Sequence, residues 1–461
     1  MESSTEYKEW IKRRNRNAFF SYFLLFLDGL ETSAVTVVML FYLQDRFHLN
    51  PDETRMFFSI AEMMNAVGQM TGGLFFGRYT DRTRNLRLVV FVNLWATIFG
   101  NLIYAIPFSV ICIFIGRFLC GLNESLQVAF GGEFRRCYND KDLINVLGWN
   151  EICYSIGFNI GPGAPILFTL IDFQIGSWKI DKYNAVHIFI TIISMFLYIA
   201  MWFCLSNTSK ELEEIKAKFS HHIDDPRVES TGKQHDLADT TKSEDVISTG
   251  TKSGLVMHWK QLVNVDIVTL CLSYGIMRYA INTMMSLIVM YALSQFHWNV
   301  ASLSRLNIIA STLIYIIITV LIKYKVFQGL RKSYFCYATA LTLTIFSFAN
   351  LLLPYFLDIS SYKMQTIYLL SHLFIKAWMY FHIQSSGKVL LFNTVSSENS
   401  CLIDGLRSTF GSMMRLFAFG TSFLCYKYPT YFLTPLGIIH FITACIIFIR
   451  FDKHSQKKKF E

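Results

Sequence analysis

The chain has 461 residues, 53% of them hydrophobic and 16% aromatic, and only 16% carry a charge. A soluble protein carries about 25% charged residues, and apolar runs long enough to cross a bilayer recur here, so the composition excludes an ordinary soluble enzyme and points to a polytopic membrane protein. The formal net charge of +9 does not imply a nucleic-acid partner: the basic residues gather in loops on one side, and no nucleic-acid module is present.

The N-terminal tail, residues 1–17, is polar and ends in Lys12, Arg13, Arg14 and Arg16. The apolar run behind it is too long for a cleaved signal and has no small-residue cleavage site, so it reads as a retained signal anchor. Spans are expected at 18–43, 56–77, 88–106, 110–134, 148–170 and 185–205. A hydrophilic segment, 206–262, follows and reads as a mostly disordered linker with a short amphipathic helix near Lys252–Val263. Six more spans are expected at 263–293, 305–322, 334–354, 365–390, 405–425 and 432–449, ahead of a basic tail at 450–461. Each covers a hydrocarbon core of about 30 Å as a helix, and the period-two alternation of barrel strands is absent. The expected fold is therefore all-α, with twelve transmembrane helices in two six-helix halves, 18–205 and 263–449.

Loop charge orients the chain. The stretch from Gly73 to Arg87 sets four arginines and one aspartate within ten residues between two apolar spans. With both termini cytoplasmic, the cytoplasmic segments hold 29 of the 42 Lys and Arg, and the opposite loops hold 6. That bias places the N- and C-termini in the cytoplasm. The ending Lys458-Lys459-Phe460-Glu461 reads either as a dilysine address for the endoplasmic reticulum or as a basic juxtamembrane tail. The ten cysteines lie in spans or cytoplasmic segments, so no disulfide framework is implied, and no cluster has metal-ligand spacing. The sequons at Asn123 and Asn207 fall in a span and on the cytoplasmic side, where no glycan is expected.

An ionisable residue inside a span costs several kcal/mol unless it is paired or faces water, so each is a candidate pathway residue. The first half carries Asp28 and Glu31, three apart on one helical face, then Glu62, then Arg117 and Glu124, seven apart and again on one face. The second half carries Arg278, Lys376 and Arg415. Arg117 aside, one half is acidic and the other basic. If the halves face one cavity, its carboxylates would bind protons and its cations an anion, unless the charges simply pair. Glu151 and Arg407 lie near span ends, where snorkelling to the interface is easy. His187, His372, His382 and His440 read chiefly as packing residues.

Six spans, a long linker and six spans is the layout of the major facilitator superfamily, and local patterns resemble its motifs. Gly77, Asp81 and Arg82 match the superfamily loop between spans two and three, with Arg84 standing where a glycine is usual. Arg117-Phe-Leu-Cys-Gly121 resembles the buried-arginine motif of span four. Gly148, Gly157, Gly161 and Pro162 resemble the Gly-Pro motif of span five, with Pro165 and Ile166 in place of the terminal Gly-Gly. The resemblance implies alternating access, with Gly77, Asp81, Arg82, Gly157, Gly161 and Pro162 as conformational gate residues. It also puts Asp81 near Arg135, Arg136 or Arg407. Within the superfamily, Gly68-Gln69-Met70, Gly157 to Pro162 and Gly411-Ser-Met-Met-Arg415 are similar to the lysosomal ceroid-lipofuscinosis-type family, which implies an endolysosomal membrane location and anion or small-solute movement.

No P-loop, nucleotide-binding glycine pattern, nucleophile elbow or metalloprotease helix is present, so neither catalysis nor a cofactor is expected. The leading reading is a monomeric secondary transporter of a small anionic or polar solute, coupled to protons and energised by a gradient. The alternatives are an endolysosomal chloride-channel-like protein with Arg278, Lys376 and Arg415 along its pathway, and a non-transporting scaffold or receptor.

Overall fold

The computed structural model describes residues 5–457, apart from 107, 162–163, 165–167, 169, 177, 182, 224–263, 299, 325–329 and 396–397. Pro162, the helix expected near Lys252–Val263 and the last four residues therefore lie outside the described residues.

The first half consists of α1 (Thr5–Phe47), α2 (Pro51–Thr83), α3 (Leu86–Ala105), α4 (Val110–Gly121), α5 (Glu124–Cys137), α6 (Asp140–Ile160) and α7 (Ala185–Cys204), followed by α8 (Thr208–Ile223). The second half consists of α9 (Val265–Met290), α10 (Val300–Lys323), α11 (Leu330–Phe356), α12 (Tyr362–Thr394), α13 (Ser400–Lys427) and α14 (Pro429–Lys457). Helices α4 and α5 together make one span, so the twelve expected spans are present. An even number of crossings brings both termini to one end of the bundle, called the base here; the other is the far end. By length and composition alone, six described stretches can cross a bilayer. Helices α2, α6, α9, α10, α12 and α13 are not among them; all but α10 carry buried ionisable side chains.

Within the first half α1 packs on α6, α2 on α4, and α3 on α4 and α7. Within the second, α9 packs on α13, and α11 on α12 and α14. The halves meet where α2 and α5 lie against α13 and where α6 lies against α10 and α12. At the α1–α6 crossing the backbones touch: a Cβ on Gly157 would sit 2.0 Å from the Phe26 carbonyl oxygen, so only glycine fits. Gly161 meets α1 in the same way, 1.9 Å from Ser33 Oγ. Both glycines thus serve a contact inside the first half.

Four features depart from the sequence reading. The fifth span sits about ten residues nearer the base than expected, starting at Asp140, where Asn139 accepts the Asp142 N–H as an N-cap. The fourth span is broken at Leu122–Asn123. There the chain tightens to Leu122 N–H→Leu119 O and Asn123 N–H→Cys120 O, and Asn65 Nδ2 reaches across from α2 to the nearby Arg117 carbonyl. In a chain expected to be all-α, an antiparallel strand pair of β1 (Asp172–Ile175) and β2 (Trp178–Asp181) lies between the fifth and sixth spans. It caps the far end: Trp178 Nε1 and Asn184 Nδ2 donate to the Ala105 carbonyl at the end of α3, and Arg46 pairs with Asp181 at 2.5 Å. Partial burial and the Asp45 carboxylate push the Tyr183 hydroxyl of this cap up to about 12.

The fourth departure is α8, which begins the segment read as a linker and docks on the first half. Buried Glu133 accepts from Thr208 Oγ1 (2.8 Å), Ser209 N–H (2.7 Å) and Ser209 Oγ (2.6 Å), so it caps α8 from another helix. Trp10 Nε1 donates to the Thr208 carbonyl, and Arg13 pairs with Glu211 at 2.9 Å. Glu133→Ala should orphan three donors at about 1–3 kcal/mol each. Hydrogen exchange of the 206–215 amides should then accelerate more than tenfold while that of α3 holds; unchanged protection of α8 would show that the cap does not anchor it.

Candidate functional site

Ionisable side chains buried between the helices form three layers. The layer in the far half is a closed network. Arg117 on α4, fully buried, donates to Glu31 Oε1 on α1 at 3.3 Å and to Glu62 Oε1 on α2 at 2.9 Å. Glu62 Oε2 accepts from Arg415 on α13 at 2.9 Å. Two carboxylates and two guanidiniums thus balance, and Glu62 joins the halves. Charge-assisted, hydrogen-bonded pairing is what makes such burial tolerable.

This junction tops a seam that runs the length of α2 and α13. Ser412 Oγ donates to Gln69 Oε1 at 3.1 Å and Thr409 Oγ1 to the Met70 carbonyl at 3.2 Å. Nearer the base, a Cβ on Gly77 would lie 2.7 Å from the Cys401 carbonyl oxygen, so the backbones touch there. At the base Asp81 closes the seam. Its carboxylate accepts the N–H groups of Cys401 (3.1 Å) and Leu402 (2.7 Å) in the first turn of α13 and pairs with Arg136 of α5. An anion at a helix N-terminus meets unsatisfied donors and the positive end of the dipole. Of the three partners expected for Asp81, Arg136 is the one used; Arg135 donates to the Phe392 carbonyl, and Arg407 belongs to another cluster. Arg82 is exposed. Arg84, in the motif's glycine position, takes the left-handed conformation at φ 53°, which is the backbone reason a glycine suits that site.

A second network lies in the basal half. Asp404 pairs with Arg407 (2.7 Å) and Lys388 (3.5 Å), Arg407 also donates to Gln384 Oε1 at 3.2 Å, and its guanidinium lies 4.0 Å from the Tyr274 ring centroid. Glu151 of the first half is within electrostatic reach of Lys388 and Arg407. Glu151 and Arg407 are each 2% exposed. The snorkelling expected of them does not occur, because the helices extend past the expected span edges and enclose both side chains.

Between these networks lies a middle layer with four ionisable groups that make no ion pair among the described residues: Asp28 on α1, Glu124 on α5, Arg278 on α9 and Lys376 on α12. Glu124 accepts from Ser408 Oγ of α13 at 2.6 Å. Arg117 and Glu124, expected on one face, are separated by the break in the span: Arg117 turns into its own half and Glu124 towards the other. Asp28 borders a cavity of about 20 Å³ that Glu31, Thr97, Asn123 and Ser194 also line. That is room for one water, with polar groups to hold it. Arg278 Nε and Lys376 Nζ are buried without a hydrogen-bond partner. Their neighbours are aromatic. Arg278 lies 5.8 Å from the Tyr380 ring and 6.0 Å from Tyr274, and Lys376 Nζ lies 5.3 Å from Phe158. Two cations in the second half, neither in an ion pair among the described residues, therefore oppose two acids in the first.

Lys388, Asp404, Tyr154, Tyr274 and Tyr380 enter these layers without having been singled out in the sequence. The charges at 388 and 404 were visible only as the polar rim of a span. His372 and His187 are packing residues, held by the Tyr368 carbonyl (2.9 Å) and the Asn101 side chain (2.7 Å).

The family model of the Major Facilitator Superfamily matches residues 21–423. The human organic anion transporter MFSD10 (TETRAN) shares the fold with a TM-score of 0.66 at 12% identity, over 94% of this chain and 99% of that one. The proton:xylose symporter XylE bound to 6-bromo-6-deoxy-D-glucose gives 0.64 at 12% identity, over 95% and 94%. A bacterial homologue of the iron transporter ferroportin in its outward-facing state gives 0.57 at 12% identity, over 96% and 99%. No match was found among curated protein sequences.

Glu62→Gln should cost about 3–5 kcal/mol, because it strips Arg415 of its acidic partner. Arg415→Gln should cost less, since Glu62 keeps Arg117, and the double substitution should recover part of the Glu62→Gln loss. Thermal unfolding of the detergent-solubilised protein reads all three, and strictly additive shifts would show that Glu62 and Arg415 do not interact. At the base, Asp81→Asn should expose the buried Cys401. Maleimide modification of Cys401, mapped by mass spectrometry, should quicken at least tenfold; a rate equal to wild type would mean that Asp81 does not hold the base shut.

Proposed function

The chain belongs to the major facilitator superfamily, and from that premise we propose that it is a secondary carrier of a small organic anion, driven by a proton gradient. The observation behind this reading is the pair of buried cations, Arg278 and Lys376, that make no ion pair among the described residues and leave Nε and Nζ without a hydrogen-bond partner. A buried cation without a counter-ion costs several kcal/mol, and such groups in a membrane bundle mark ion and substrate pathways. An anion bound between the halves would supply the missing charge. A scaffold would be expected to pair every buried charge, as the far-half network does.

The motion follows from the contacts. The α2–α13 seam is continuous from Glu62 to Asp81 and acts as the pivot about which the halves rock. Opening to the base requires Asp81 to leave the first turn of α13 and Arg136 to lose its partner. Asp28 is the proton-carrying group in this scheme. It borders a water-sized cavity and makes no ion pair among the described residues, whereas Glu31 and Glu62 pair with guanidiniums in the far network. Protonating Asp28 neutralises the first half's side of the middle layer, so an anion and a proton compensate each other's charge.

The solved relatives include an organic anion transporter and a proton symporter, which fits this reading without assigning their substrates to the chain. We place the base in the cytoplasm, from the loop-charge bias, and the protein in an endolysosomal membrane, from the family resemblance.

Uptake of radiolabelled carboxylates into proteoliposomes tests the proposal. Lys376→Gln and Arg278→Gln should each reduce uptake by about 30-fold or more, the cost of losing one partner of a buried charge pair. Asp28→Asn should leave anion exchange intact but abolish acceleration by an imposed pH gradient. Wild-type rates in Lys376→Gln would contradict the anion site, and an unaltered pH response in Asp28→Asn would remove Asp28 from coupling.

A further inference from the structure

The unpaired cations are set in a box of aromatic rings in register across the two halves. Tyr154 of α6 stacks on Tyr380 of α12, with centroids 5.7 Å apart and ring planes 11° from parallel. One turn along each helix, Phe158 of α6 lies under the Lys376 ammonium of α12, at 5.3 Å. Antiparallel helices in fixed register produce this: positions four apart on α6 face positions four apart on α12. Tyr154 also stacks on Phe158, at 6.1 Å and 20°. Arg278 closes the third side, 5.8 Å from the Tyr380 ring. Tyr380 is partly buried and packs against the core of the second half, with its ring held between Tyr154 and Arg278.

From this geometry we propose that the transported anion is planar and aromatic, its ring seated against Tyr154 and Tyr380 and its carboxylate on Lys376 and Arg278. The inference rests on the carrier reading above. The tyrosine rings satisfy each other across the halves, and each cation rests over aromatic faces. A planar ring recovers that stacking when it enters, and its carboxylate gives both cations a true counter-ion. A saturated anion of equal charge satisfies the cations but displaces ring stacking without replacing it. Mostly aromatic walls with a few convergent polar groups are also the usual make-up of a small-molecule site.

Benzoate and cyclohexanecarboxylate separate ring planarity from charge and size. Both are ionised at pH 7 and differ in whether the ring is flat. On the purified full-length protein, benzoate should bind about tenfold more tightly, measured by ligand-induced thermal stabilisation and by competition for uptake. Tyr380→Leu and Tyr154→Leu should bring the ratio near one. Tyr380→Phe and Tyr154→Phe, which keep the ring, should preserve it and control for misfolding. Lys376→Gln should weaken both anions while leaving the ratio intact.

Equal binding of the two anions by wild type, or a preference that survives both leucine variants, would overturn the aromatic assignment. If neither carboxylate bound but chloride did, in a Lys376-dependent manner, the aromatic inference would fall and the anion-carrier reading would stand. If no anion bound at all, both would fall.

Discussion

Charge neutrality inside the hydrocarbon zone is the constraint from which this architecture follows, and Glu62 is where it is met most sharply. One carboxylate accepts from Arg117 of its own half and from Arg415 of the other. Either guanidinium alone would be a heavy liability in a low-dielectric interior. Sharing Glu62, with Glu31 supplying the second negative charge, makes the far half of the bundle neutral and fixes how α2 meets α13. The glycine contact and the Asp81 cap continue the same seam to the base, so one line of contact joins the halves throughout.

Given that neutral frame, the groups left outside it carry the functional argument. Sequence alone marked eight candidate pathway residues. The structure sorts them into four that pair with one another and four, Asp28, Glu124, Arg278 and Lys376, that make no ion pair among the described residues. The acidic-versus-basic contrast between the halves thus survives only in the middle layer. That is where a rocking carrier of this superfamily would hold its cargo, and there the walls turn aromatic.

How far the sequence could be read depended on the range of the interaction involved. Span number and the six-plus-six division were legible because hydrophobic run length is a local property. The break at Leu122–Asn123 was not: no proline marks it, and the partners around it, such as Asn65 on the Arg117 carbonyl, lie more than fifty residues away in sequence. That miss propagated: Arg117 and Glu124 looked like one face and are two. Helix α8 was hidden for a similar reason. Its own sequence is polar, and what holds it is a carboxylate on α5 and a tryptophan near the N-terminus. Asp81 was recognisable from its motif, yet its choice of Arg136 over Arg135 depends on how α5 turns against α13.

The account requires that the cargo move by a rocking cycle and not through an open pore, because the middle layer lies between two packed networks. Counterflow decides this most directly. Proteoliposomes loaded with unlabelled benzoate should take up labelled benzoate several-fold faster than empty ones, since a loaded carrier returns to the outside faster than an empty one. Uptake indifferent to internal benzoate, with a current that rises linearly with the anion gradient, would contradict the carrier mechanism and indicate a channel.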